Sequence, residues 1–137
     1  MLDPEGRLAV NPQFEWAGGG FATSAPALAR WAWVLYEGGA VDSGMVARVI
    51  AEAVPARIGP EVRYGLGVIV WPGVDGPVVG HSGFFPGSLT EMRYFTGGRF
   101  AIALQLNTSN GRALRARPAA MVNVLAQVIR ESIRAGQ

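Results

Sequence analysis

The most regular stretch of the chain alternates with period two. In "RFAIALQLN", Phe100, Ile102, Leu104 and Leu106 fall on one side and Ala101, Ala103, Gln105 and Asn107 on the other. That is the pattern of a strand with one face turned to a core. "SLTEMRYF" precedes it, and Thr96-Gly97-Gly98 between the two predicts a hairpin. Further upstream, "RYGLGVIVW" sets Tyr64, Leu66, Val68 and Val70 against Gly65, Gly67, Ile69 and Trp71. The expectation there is a single strand whose second face is thinned by glycine. "PVVGHS" predicts a short strand reaching His81, bounded by turns at "PGVDG" (72–76) and Pro86-Gly87. Short turns between four strands predict an antiparallel meander.

The period changes to 3.6 on either side of these strands. Leu28, Trp31, Ala32 and Leu35 share one helical face, with Thr23 or Ser24 as cap, Pro26 in the first turn and Gly38-Gly39 as the stop. Trp33 falls on the opposite face, which predicts either partial exposure or a covering partner. A shorter helix is expected from a Ser43 cap through Met45, Val46, Val49, Ile50 and Ala53 to a stop at Pro55. The last helix should run from about Pro118 to Arg134. Met121, Val122, Val124, Leu125, Val128, Ile129 and Ile133 spread over a wide apolar face, and Asn123, Gln127, Arg130, Glu131 and Arg134 make a polar strip. Residues 1–20, with Pro4, Pro12 and Gly18-Gly19-Gly20, read as a loop segment. The fold class is therefore α+β over 21–137: two helices, a four-stranded antiparallel meander and a closing helix.

Composition narrows the chemistry. The chain has 137 residues, half of them hydrophobic and 16% charged, a core-forming mixture. All twelve basic residues are arginine and the net charge is +2, so no large positive field marks a nucleic-acid partner. Arg112, Arg115 and Arg117 cluster in "NGRALRARP", expected as a solvated loop before a helix. There is no cysteine, which excludes disulfides and thiolate chemistry, and one histidine with no cysteine argues against structural zinc. No cofactor is indicated. No apolar stretch approaches the ~20 residues that span a bilayer, and "MLDPEGRLAV" is not a signal peptide. The compartment stays unknown.

The one histidine, His81, stands in "VVGHSGFFPGSL" beside Ser82. Neighbouring side chains in a strand point to opposite faces, so His81 is a poor base for Ser82. Ser24 and Ser43 read as helix caps and Ser132 lies in the last helix. Only Ser88, across the turn, is a minor candidate to converge with His81, with Glu91 as the orienting carboxylate. The glycine triplet at 18–20 reads as a tight turn in preference to an anion site.

Four segments in order then carry a resemblance: "GGGFATSAPALARWAWVLYEGG", "YGLGVIVW", "VVGHSGFFPG", and "RFAIALQLNTSN" before a long helix. Together they resemble the later part of the serine β-lactamase and penicillin-binding-protein superfamily, nearest the class C β-lactamase, esterase and D-Ala-D-Ala carboxypeptidase branches. The resemblance covers the chain from about Gly18 onward. It implies that His81-Ser82-Gly83 is the third motif of that family in its histidine form. His81 would be a hydrogen-bonding, partly cationic group near the substrate's carboxylate or the tyrosine. Ser82 would be a substrate-contacting hydroxyl and not the nucleophile, and the Phe84 N–H would be one of two oxyanion-hole donors. Gly83 would let substrate approach the strand edge. Asn107 would match an asparagine common at that point, in a structural role.

Departures from the family's pattern limit what is implied. Without lysine there is no S-x-x-K, and Tyr36, Tyr64 and Tyr94 precede "EGG", "GLG" and "FTG", so none begins Tyr-x-Asn. Phe84-Phe85 replaces the small residues usual after the motif, and Ala27 stands where an aspartate is common. The expectation is the C-terminal portion of a β-lactamase-related hydrolase, inactive alone. Its partner would be a segment bringing S-x-x-K, from the same gene or a separate chain, and its substrate an ester, β-lactam or D-Ala-D-Ala amide. The alternative is a non-catalytic module that keeps the sheet for binding or self-association, through Trp33, the glycine-thinned strand or an unpaired strand edge.

Overall fold

The computed structural model describes residues 3–136 except 6, 8, 10 and 20. Its strands form one open antiparallel sheet in chain order: β1 (Val54–Pro55), β2 (Arg63–Gly65), β3 (Val68–Trp71), β4 (Val78–Phe85), β5 (Ser88–Phe95) and β6 (Phe100–Leu106). The sheet has six strands, not the expected four. The very short β1 pairs with β2, and "RYGLGVIVW" is a hairpin, not one strand. Leu66 (φ 47°) and Gly67 (φ 78°) both adopt left-handed backbone, so the chain reverses between β2 and β3 and pairs Tyr64 with Ile69. Two consecutive positive φ angles are what a tight right-twisted hairpin needs. Leucine at the first position hides the signal.

Three helices flank the sheet: α1 (Ala25–Tyr36), α2 (Ser43–Glu52) and α3 (Pro118–Ala135). Ser24 caps α1 by accepting the Ala27 N–H, and Pro26 sits in the first turn as expected. The cap of α2 is Asp42 instead of Ser43; its carboxylate accepts the Gly44 N–H at 2.8 Å, and Ser43 becomes the first helical residue. The stretch expected as loop over 1–20 contains a 3₁₀ helix at Pro12–Gly18, opened by the Asn11 side chain accepting the Gln13 N–H and kinked at Trp16 (φ 46°). Gly20 lies outside the described residues, so the glycine triplet is not described as a unit.

The core is split by the sheet into two layers. Val122, Ala126 and Ile129 of α3 pack on Val78, Phe95 and Ile102 on one face. On the other, Tyr36 of α1 and Ile50 of α2 join Ala53, Val70, Val79 and Tyr94. Strand alternation explains the division, since Val78/Val79 and Tyr94/Phe95 are neighbours sent to opposite layers. Burial pushes both the Tyr36 and Tyr94 phenols up to about 12, Tyr94 also through its hydrogen bond to Glu37. Glu37 additionally accepts from Arg99, which holds its carboxyl below the usual range. This cluster ties the end of α1 to the β5–β6 hairpin. Trp33 is 48% exposed, and of the wide apolar face of α3 the sheet takes only one stripe; Val124, Leu125, Val128 and Ile133 stay exposed.

Candidate functional site

β4 is twice as long as β3, and the difference creates the site. β3 pairs only with Val78, Val79 and Gly80, whereas β5 pairs with β4 from Val78 to Phe85. Among the described residues no strand lies beside the outer edge of β4 from His81 onward, and burial changes at that point. Val78, Val79 and Gly80 are buried; His81, Ser82, Gly83 and Phe84 are exposed. The motif thus lies on an open edge.

Peptide direction along that edge follows from Gly80. Its φ is 156°, and a Cβ there would run into the Met92 carbonyl oxygen. That carbonyl therefore aims at β4 beside the His81–Met92 pair. By antiparallel alternation, His81, Gly83 and Phe85 turn their peptide groups to β5, and Ser82 and Phe84 turn theirs to the free side. Glycine has different causes at the two positions. The fold demands it at Gly80, while a Cβ at Gly83 would make only ordinary contact with Thr90 at 3.7 Å. Among the described residues nothing requires Gly83 to be bare.

His81 is held at both ring nitrogens. Nδ1 lies 2.6 Å from the Ser82 carbonyl oxygen, which can only accept. Nε2 is 3.2 Å from the Tyr64 hydroxyl, and the two rings meet edge-on with centroids 5.8 Å apart. Tyr64 was not among the expected site residues. Its proximity depends on the Leu66-Gly67 reversal that brings β2 back beside β3, and reading "RYGLGVIVW" as one strand conceals it.

The minor candidates do not converge. Ser88 pairs with Phe85 and His81 with Met92, four residues and about 13 Å apart along the strand. Glu91 cannot orient a Ser88–His81 dyad, because it lies opposite Ser82, is buried, and is committed to Arg93 through Oε2 at 3.1 and 3.2 Å. Arg93 in turn donates to Asn123 of α3 at 3.2 Å and stacks on Trp71. Ser88 instead borders a groove of about 510 Å³ with Glu15, Phe21, Phe85, Thr90 and Gln105. Asn107 is exposed just past the end of β6. Two residues on, Ser109 accepts the Gly87 N–H at 3.0 Å and fastens the Pro86-Gly87 turn. Arg112, Arg115 and Arg117 are exposed around a 3₁₀ turn before α3.

Among the described residues no three His, Cys, Asp or Glu side chains gather as metal ligands, and no helix is long and apolar enough to cross a membrane. No protein-family model matches the chain, and no curated protein matches it.

Proposed function

We propose that this chain is the cleft wall of a serine hydrolase of the β-lactamase and penicillin-binding-protein kind, completed by a segment that carries S-x-x-K. One observation carries the reading: the Phe84 peptide group faces the free edge of β4, next to His81, Ser82 and an unencumbered Gly83. A donor in that position suits charge that develops on a carbonyl oxygen during acyl transfer. The serine of the completing segment attacks the acyl carbonyl, its proton passes to the base on the same segment, and the Phe84 N–H donates to the resulting oxyanion. The oxyanion collapses and breaks the bond to the alcohol or amine, which takes the proton held by the base. Water then attacks the acyl-serine, giving the carboxylic acid and restoring the serine hydroxyl. The substrate is an ester, a β-lactam or a D-Ala-D-Ala amide, and no cofactor is needed.

The test uses a fluorescent penicillin and a chromogenic short-chain ester. The chain alone is expected to be neither labelled nor active. Co-expression with an upstream segment bearing S-x-x-K and Tyr-x-Asn should give labelling and turnover. Labelling of the chain alone, abolished by Ser88→Ala, would overturn the reading in favour of an independent nucleophile.

A second reading is favoured by the same edge. The outward peptide groups of Ser82, whose carbonyl also meets His81 Nδ1, and of Phe84 are placed symmetrically about Gly83, so two copies related by a two-fold axis can pair β4 with β4. In that reading the chain is a self-association module without catalysis.

A further inference from the structure

We propose that Tyr64 is a positioning residue for His81, and that the pair fixes the only imidazole of the chain in its Nδ1–H tautomer. The Ser82 carbonyl has a lone pair and no hydrogen, so at 2.6 Å it must be the acceptor and Nδ1 the donor. A neutral ring with hydrogen on Nδ1 presents a lone pair at Nε2. The Tyr64 hydroxyl, 3.2 Å away, donates into it. Both nitrogens are then satisfied by groups on different strands, and the edge-on contact of the two rings limits rotation of the imidazole. Tyr64 is 38% exposed, and a hydroxyl that donates its hydrogen still has lone pairs to accept with.

The arrangement has a consequence for proton position. When Nε2 gains a proton, it becomes the donor and the Tyr64 oxygen the acceptor. The phenolic hydrogen is then free to turn outward and donate to an oxygen of the bound acyl compound. The one covalent change is the new Nε2–H bond, made with a proton taken from solvent; otherwise only these hydrogen bonds are rearranged. Tyr64 thereby converts a proton on His81 into a donor at the open edge of β4. Its use in acyl transfer rests on the function proposed above; the tautomer does not.

The single histidine makes the test unambiguous. Long-range proton–nitrogen correlation on ¹⁵N-labelled protein, recorded at a pH where the ring is neutral, should show Nδ1 protonated and Nε2 bare. Tyr64→Phe keeps the aromatic ring but removes the donor, and should move the ring toward a mixture with the Nε2–H form while circular dichroism stays unchanged. An Nε2–H ring in the wild-type protein would overturn the proposal, whether or not the variant folds. An unchanged tautomer in Tyr64→Phe would overturn the role of Tyr64 even if hydrolysis were lost. With the completing segment present, Tyr64→Phe is expected to lower kcat by about tenfold or more and to leave penicillin labelling detectable. Failure of labelling in every variant would defeat the hydrolase reading and leave the tautomer result standing.

Discussion

At the scale of single residues, the two glycines of β4 separate fold from function. Gly80 combines a φ of 156° with a Cβ position occupied by the Met92 carbonyl oxygen, so any side chain must push β4 away from β5. Gly80→Ala is expected to cost on the order of 3 kcal/mol, read as a shift of the urea midpoint with an unchanged slope. Gly83→Ala meets Thr90 only at 3.7 Å, and its effect on stability should stay within about 1 kcal/mol. If the substitution at Gly83 destabilised the protein as much as that at Gly80, the free-edge geometry assigned to His81–Phe85 would be wrong. The sequence shows "VVGHSG" with two similar glycines. Only the carbonyl across the sheet tells them apart, and no local pattern reveals a long-range clash.

At the scale of elements, legibility followed the length of each periodic run. β6 and α3 are long enough for their periods to be unambiguous, and their bounds agree with expectation to within a residue or two. The start of α1 was legible because Ser24 and Pro26 are strong local signals. "RYGLGVIVW" failed for a physical reason. A two-residue turn preserves alternation on both sides of it, so a hairpin and a straight strand give the same hydrophobic pattern, and Leu66 is an uncommon residue at φ 47°. That strain makes a prediction. Leu66 is 81% exposed, so its side chain contributes little burial, and Leu66→Asn should stabilise the protein by about 0.5–1 kcal/mol through relief of backbone strain. Thermal unfolding measures it. A lowered midpoint would mean that the leucine has a packing partner of its own. The same turn hides Tyr64: a residue at the start of a straight strand lies far from His81, whereas one on the first arm of a hairpin is folded back beside β3 and reaches Nε2.

At the scale of the whole molecule, an open strand edge and exposed aromatic side chains occur together. Among the described residues β4 has no strand beside it from His81 onward and Phe84 there is 66% exposed, while Trp31 and Trp33, 51% and 48% exposed, lie on α1 against β5 and β6. A bare edge with aromatic residues beside it is a template for another chain unless charge blocks it, and among Ser82, Gly83, Phe84 and Phe85 there is no charge. In the absence of a completing segment, the second copy is the strand always at hand. The protein alone should therefore sediment as a dimer or larger at micromolar concentration, and Phe84→Lys, which puts a cation on the free edge, should shift it to monomer. A wild-type monomer would contradict the prediction, and a Phe84→Lys variant that still assembles would move the contact to the Trp31–Trp33 helix. If the hydrolase reading is right, the S-x-x-K segment competes for the same surface. Adding it should dissolve the homo-oligomer in step with the appearance of penicillin labelling, because one strand edge cannot serve a second copy and an acyl substrate together.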